Sequence, residues 1–174
     1  MDRIIRDQIN LLLYLLDDIR RVTLKGVNGL TKEQLFQEPI PGEFPIGAYL
    51  MHLGECDLGW LGTLSGEMQP EELKKRNYYD SWFDPEQSAP PKRAPEVEDY
   101  LSAIGEARER VRDYLLSMSD EQLEDKVTRK RGEKVNTFSK KWIIYHLIEH
   151  EAHTRGQMFM LIRMAGFKAK GKNN

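Results

Sequence analysis

Four long stretches of this chain repeat their apolar residues at helical spacing, and none alternates in the manner of a central strand. The first, residues 2–24, carries Ile5, Ile9, Leu12, Leu16 and Ile19, with Gly26 after it as a stop. The second, residues 46–64, places Ile46, Leu50, Leu53, Trp60 and Leu64 on one face and stops at Gly66. The third starts near Pro95, a residue suited to a first helical turn, and carries Val97, Leu101, Ile104, Val111 and Leu115. The fourth spans residues 139–165 and ends at Gly166. A helix with one apolar stripe must bury it against another element, so four such helices without a sheet predict an all-α four-helix bundle.

The connections add detail. Residues 68–94 hold Pro70, Pro85, Pro90 and Pro91 and the run Tyr78-Tyr79-Asp80-Ser81-Trp82-Phe83. Such a link predicts a long crossover between the second and third helices, with the aromatics sealing the bundle's edge. Residues 127–135 read as a small charged hairpin turning near Gly132. The chain also echoes itself. Leu30-Thr31-Lys32-Glu33-Gln34-Leu35 follows the first helix and Met118-Ser119-Asp120-Glu121-Gln122-Leu123 the third, each with the form of a capping box. The next long helices carry related phrases, His52-Leu53 with Glu55-Cys56 and His146-Leu147 with Glu149-His150. Two linked matches in the same order predict a pseudo-twofold pair of half-bundles.

Residues 1–167 are expected to form one domain and 168–174, with Lys168, Lys170 and Lys172, a flexible basic tail. A net charge of −2 with interspersed signs gives no electrostatic case for nucleic-acid binding. The single cysteine, Cys56, excludes an internal disulfide and fits a reducing compartment. No leader-like start and no membrane-length apolar run is present, so a cytoplasmic protein is expected.

Three of the four histidines lie within eight residues, at 146, 150 and 153. With Gln157 they share one stripe of the fourth helix, and an i, i+4 imidazole pair can grip one ion. The alternative is a solvated histidine face. His52 sits at the edge of the second helix's apolar face; the pseudo-symmetry brings that helix beside the fourth. Histidines from two helices would hold a metal and leave open positions for water or substrate. Glu149 and Glu151 flank His150 and are expected on the solvent side, with partnering a histidine or general base work as the functional alternative. Arg155 reads as an interhelical clamp or a substrate anchor, Gln157 as a residue that orients a ligand, and Gly156 as a point of close helix approach.

These residues resemble the DinB/YfiT-like four-helix-bundle proteins over nearly the whole chain. The resemblance rests on the His52-Leu53 phrase with Asp57 and Trp60 after it, the long crossover, and above all on His146, His150 and His153 followed by Arg155-Gly156-Gln157. It implies a family of metal-dependent enzymes whose metal is held by histidines matching His52, His150 and position 154, and a homodimer. This chain departs from it at the third ligand, where Thr154 stands. A neutral hydroxyl is a poor donor for zinc or nickel.

Three arrangements follow. The metal is lost, or His52 and His150 hold it with water, His146 or His153 completing the sphere, or His52, Cys56, His146 and His150 close a tetrahedral site. In the second case position 154 is expected to be open, so that Thr154→His would raise zinc or nickel affinity at little cost. The family implies a metal-dependent hydrolase or thiol S-transferase acting on a small molecule. The alternative is a metal-free bundle that binds a small ligand or mediates dimerisation. Leu11, Leu13, Tyr14 and Leu15, spread around the first helix, suit a dimer contact.

Overall fold

The computed structural model describes residues 6–78, 82 and 91–167; the expected basic tail, residues 168–174, and Tyr79 and Phe83 of the aromatic run lie outside them. Four long helices carry the architecture: α1 (Asp7–Val27), α3 (Ile46–Ser65), α5 (Val97–Leu116) and α6 (Lys140–Met164). Short helices α2 (Lys32–Phe36) and α4 (Glu71–Arg76) sit in the connections. A 3-10 turn, Asp120–Glu124, and an antiparallel hairpin, β1 (Lys126–Arg131) with β2 (Lys134–Ser139), lead into α6. The fold is the all-α bundle that the periodicity predicts, with a hairpin longer than 127–135.

Contacts fix the helix directions. Gly47 faces Tyr100, Gly54 faces Ile104, and the Leu64 carbonyl accepts from the Tyr114 hydroxyl at 2.7 Å, so α3 and α5 run parallel. Arg20 meets Glu151 and Gly26 abuts Phe159, so α1 and α6 run parallel as well. The two pairs oppose each other: Arg20 donates to the Ile104 carbonyl while Arg108 donates to that of Leu16. Two consecutive long helices that run parallel cannot be joined by a tight turn, which accounts for the long 66–96 connection. Within it, Trp82 is buried, stacks on Tyr100 at 6.1 Å and leans on Tyr78 at 5.3 Å, closing that edge of the bundle.

The core face of α1 differs from the expected one. Its buried residues are Ile9, Leu13, Leu16, Arg20, Thr23 and Val27, so Leu13 belongs to the core and Leu12 and Ile19 flank it. Two polar residues on the true stripe disguise it in the sequence. On α5, likewise, Leu101 is exposed and Tyr100, Ala103 and Ala107 take the core face. Gly26 does not stop α1, which continues to Val27. A Cβ there would lie 2.0 Å from the Phe159 ring, so this glycine permits close approach of α1 and α6. Gly54 does the same for α3, where a Cβ would meet Asn77 Oδ1 at 1.8 Å.

Arg20, Asp57, Arg108 and Glu151, one from each long helix, meet at the centre, exposed by only 7, 1, 4 and 1 %. Arg108 donates from Nε and Nη2 to both oxygens of Asp57 at 2.9 and 3.0 Å, and from Nη2 to Glu151 at 2.8 Å. Arg20 donates to Glu151 at 2.9 Å and to Asp57 at 3.1 Å. Two cations and two anions cancel, and carbonyls take further guanidinium protons, which is the condition for burying charge. Glu151 is thus a core residue and not on the solvent side as expected. Its acidity follows: burial alone would raise its pKa, but Arg20 and Arg108 hold it below the ordinary carboxylate range.

The pseudo-twofold is visible in this cluster. Arg20 reaches the carbonyl of Ile104, and Arg108 reaches that of Leu16, so each arginine repeats the other's contact. The spacing from Arg20 to Arg108 is 88 residues, the same as from Leu16 to Ile104 and from Thr31 to Ser119. Thr31 makes a full capping box with Gln34, and the Gln122 side chain accepts from the Ser119 amide at 2.8 Å. In the second element of each half, the same relation pairs His52 with His146, Cys56 with His150 and Asp57 with Glu151, all 94 apart.

Candidate metal centre between α3 and α6

Asp57 follows Cys56 directly, and Glu151 follows His150. Their locked carboxylates therefore anchor, one residue away, the two turns that face each other across the α3–α6 groove. There the Nε2 atoms of His52 and His150 lie 3.2 Å apart. Cys56 Sγ completes a triangle, 3.6 Å from His52 Nε2 and 3.7 Å from His150 Nε2. The other nitrogen of His52, Nδ1, is 3.0 Å from Glu55 Oε2, a carboxylate contact that fixes the ring with Nε2 toward the cluster. The equivalent pair one half-bundle on, His146 Nδ1 and Glu149 Oε2, is wider at 3.8 Å.

Protonation follows from this packing. Burial, then the neighbouring His52 and His146 imidazoles, push His150 from its usual 6.5 down to about 4, so its imidazole is neutral and available as a donor near pH 7. Burial, with Glu55 and Asp57 adding to it, pushes the Cys56 thiol up, and Arg129 works against them. The low pKa of His150 predicts acid sensitivity in the metal-free protein. Below about pH 6.5 the unfolded chain takes up a proton that the fold resists, so stability declines as pH falls toward about 4. Glu151, with its depressed pKa, adds to the loss below the ordinary carboxylate range. Urea unfolding is expected to give a lower midpoint at about pH 5 than at about pH 7; equal midpoints would contradict the assignment.

The other sequence candidates separate. His146 joins the wall of the groove, stacked on Trp142 at 4.9 Å and edge-on to Trp60 at 5.2 Å, and does not join the His52–Cys56–His150 triangle. His153 and Gln157 are exposed on the surface of α6, and Arg155 is half-buried. Gly156 is exposed with nothing within 4 Å of a Cβ placed there, so it serves no close helix approach. Thr154 is only 4 % exposed and outside the cavity wall, which corrects the expectation of an open position.

Above the triangle lies a cavity of about 300 Å³, with Trp60 and His146 as its aromatic wall and Arg129 and Arg131 at its hairpin side. In the sequence these arginines are hidden, because a charged hairpin reads as solvated surface. The available signal was the alternation on β1, which puts Val127, Arg129 and Arg131 on one face.

The chain is thus a parallel-paired four-helix bundle with a histidine–cysteine cluster between two helices whose donor atoms could hold a metal ion. The profile of the DinB superfamily matches residues 15–158, and the chain belongs to that superfamily. Solved structures agree in fold. A DinB-like protein from Bacillus cereus is 20 % identical with TM-score 0.66, covering 93 % of this chain and 95 % of that one. A conserved protein from Enterococcus faecalis is 14 % identical with TM-score 0.68, covering 91 % and 97 %. YfiT from Bacillus subtilis, described as a probable metal-dependent hydrolase with an unusual four-helix bundle topology, is 16 % identical with TM-score 0.61, covering 97 % and 93 %. No curated protein matches significantly. Among the described residues, no helix is long and apolar enough to cross a membrane.

Proposed function

We propose that this chain is a metal-dependent hydrolase whose divalent ion is held by His52, His150 and Cys56. The observation that carries the reading is the triangle of donor atoms. With Zn–N near 2.0–2.1 Å and Zn–S near 2.3 Å, tetrahedral angles place two nitrogens about 3.3 Å apart and nitrogen and sulfur about 3.6 Å apart. The three separations here are 3.2, 3.6 and 3.7 Å. Cys56 would thereby replace the donor that the family pattern has at Thr154. A mixed imidazole–thiolate set suits zinc, and nickel is the second choice.

A metal held by three protein donors supplies a Lewis acid and an acidified water at neutral pH. The chain's own residues do the rest. Glu55 orients His52, the Arg20–Asp57–Arg108–Glu151 cluster holds the two donor-bearing turns in place, and Trp60 and His146 exclude water from one side of the cavity. YfiT, described as a probable metal-dependent hydrolase, favours hydrolysis over thiol transfer.

The test is metal content of protein purified without a histidine tag, followed by cobalt substitution. About one metal per chain and a thiolate-to-cobalt charge-transfer band that vanishes in Cys56→Ser are expected. Cobalt uptake without that band would remove Cys56 from the centre; no uptake of any divalent ion would remove the metal reading. We propose further that the chain pairs as a homodimer through α1, where Leu11, Tyr14 and Leu15 remain exposed. Sedimentation as a monomer at micromolar concentration would exclude this.

A further inference from the structure

The hairpin is where the two half-bundles part company. The matching segment of the first half, residues 37–45, contains no strand and no arginine, whereas β1 brings two arginines over the groove. Their direction is set by strand alternation. Val127 packs into the core beside α6, so Arg129 and Arg131, two and four residues on, face the same way, while Lys130 points to the opposite face. The Arg129 guanidinium lies 4.4 Å over the Trp60 ring, a cation–π position that holds it at the cavity wall. Trp60 is itself held edge-on by Phe138 at 5.4 Å and by Trp142 at 5.9 Å.

Arg20, Arg21, Arg76, Arg108 and Arg112 each pair with a carboxylate. Among the described residues, no carboxylate lies within ion-pairing distance of Arg129 or Arg131, although Arg129 is half-buried at the wall of a cavity. Glu55, the acidic residue on the cavity wall, is turned to His52 Nδ1. The cavity thus joins two uncompensated guanidiniums, an aromatic wall and a donor triangle at its floor.

We propose that Arg129 and Arg131 form an anion subsite that seats a carboxylate or phosphate group of the substrate, whose flat apolar body lies against Trp60 and His146. The inference rests on the proposed centre for what reacts at the cavity floor. It goes beyond that centre by naming the substrate as a small organic anion. An arginine fork matches either group with paired N–H donors, so both anions belong to the same chemistry.

The test is calorimetric titration of metal-free and zinc-loaded protein with benzoate, phenyl phosphate and the neutral analogue benzamide. Both anions are expected to bind the metal-free protein, and the tighter of the two identifies the substrate's group. Benzamide should bind at least tenfold more weakly, and Arg129→Ala should weaken anion binding roughly tenfold or more. Lys130→Ala removes the same charge from the opposite face of the strand and should leave binding within about twofold. The proposal is overturned if neither anion binds at millimolar concentration, if benzamide binds as well as benzoate, or if Arg129→Ala behaves like Lys130→Ala. Arg129-dependent anion binding in a chain that takes up no metal would support the subsite and defeat the proposed centre. Metal uptake with anion binding indifferent to Arg129 would do the reverse.

Discussion

Arg108→Ala should lower the free energy of unfolding by about 3–5 kcal/mol, a large fraction of what a domain this size has to lose. The guanidinium is 4 % exposed and engages Asp57 through two nitrogens, Glu151 through one and the Leu16 carbonyl through Nη1. Removing it leaves two buried carboxylates to share Arg20, and nothing can solvate the one that loses most. The comparison is Arg112→Ala, which breaks a half-exposed pair with Asp17 one turn along the same helix and should cost about 1 kcal/mol or less. Arg108→Lys keeps the charge but loses the planar fork, and should fall between the two. Urea unfolding followed by circular dichroism would show the order. A loss for Arg108→Ala no larger than for Arg112→Ala would mean that water enters the cluster and the four helices are not pinned through it.

That cluster is also where the sequence was hardest to read. The bundle itself was legible because period and stops agree: Gly66 and Gly166 take the left-handed conformation, at φ 72° and 64°, just past α3 and α6. The four charged core residues were not legible, because Asp57 and Glu151 look like any acids on an amphipathic helix. A signal did exist. Ile143, Leu147, Glu151, Thr154, Met158 and Leu161 form one stripe, as do Ile9, Leu13, Leu16, Arg20, Thr23 and Val27. A charge in register with a core stripe on each of several helices, of balancing sign, is the pattern of a buried network. Read singly, each such residue only shifts the apparent face, which is why the spacing points to Leu12 and Ile19 as core.

The site was half legible for a related reason. The repeated phrase makes α3 and α6 counterparts, and the family resemblance picks His52 and His150 as the pair between them. Cys56 enters from the sequence only as the i, i+4 partner of His52 in one of three arrangements, and three dimensions select it over His146. Its equivalent in the second half is His150, so the two donors sit at matching positions of opposed helices and meet near the pseudo-twofold. His146, the counterpart of His52, does not close the site symmetrically because Trp142 and Trp60 hold it as part of the wall. The hairpin that supplies Phe138 to this aromatic group, and Arg129 over Trp60, is the part of the second half with no equivalent in the first. Repetition in this chain builds the frame and a pair of donor positions; the departure from repetition shapes the cavity.

His150→Ala should reduce zinc affinity roughly a hundredfold or more, because it leaves two donors on one helix and nothing across the groove. Its effect on the metal-free fold should be modest. Burial, then two neighbouring imidazoles, push the pKa of His150 down, so removing it also removes an unfavourable neighbourhood. The two effects separate in thermal unfolding with and without zinc. Wild-type protein gains stability as zinc rises above its dissociation constant, and His150→Ala should not, even where the metal-free transitions are close. His153→Ala, which alters an exposed imidazole one turn further on, should retain the full zinc response. Thr154→His should change affinity by no more than a few fold. Position 154 is packed rather than open, an imidazole there must displace core neighbours, and Cys56 already stands as the third donor. A zinc response undiminished in His150→Ala would show that the ion, if bound, is held elsewhere. A large gain in Thr154→His would show that the family's third position can still be used and that Cys56 is not filling it.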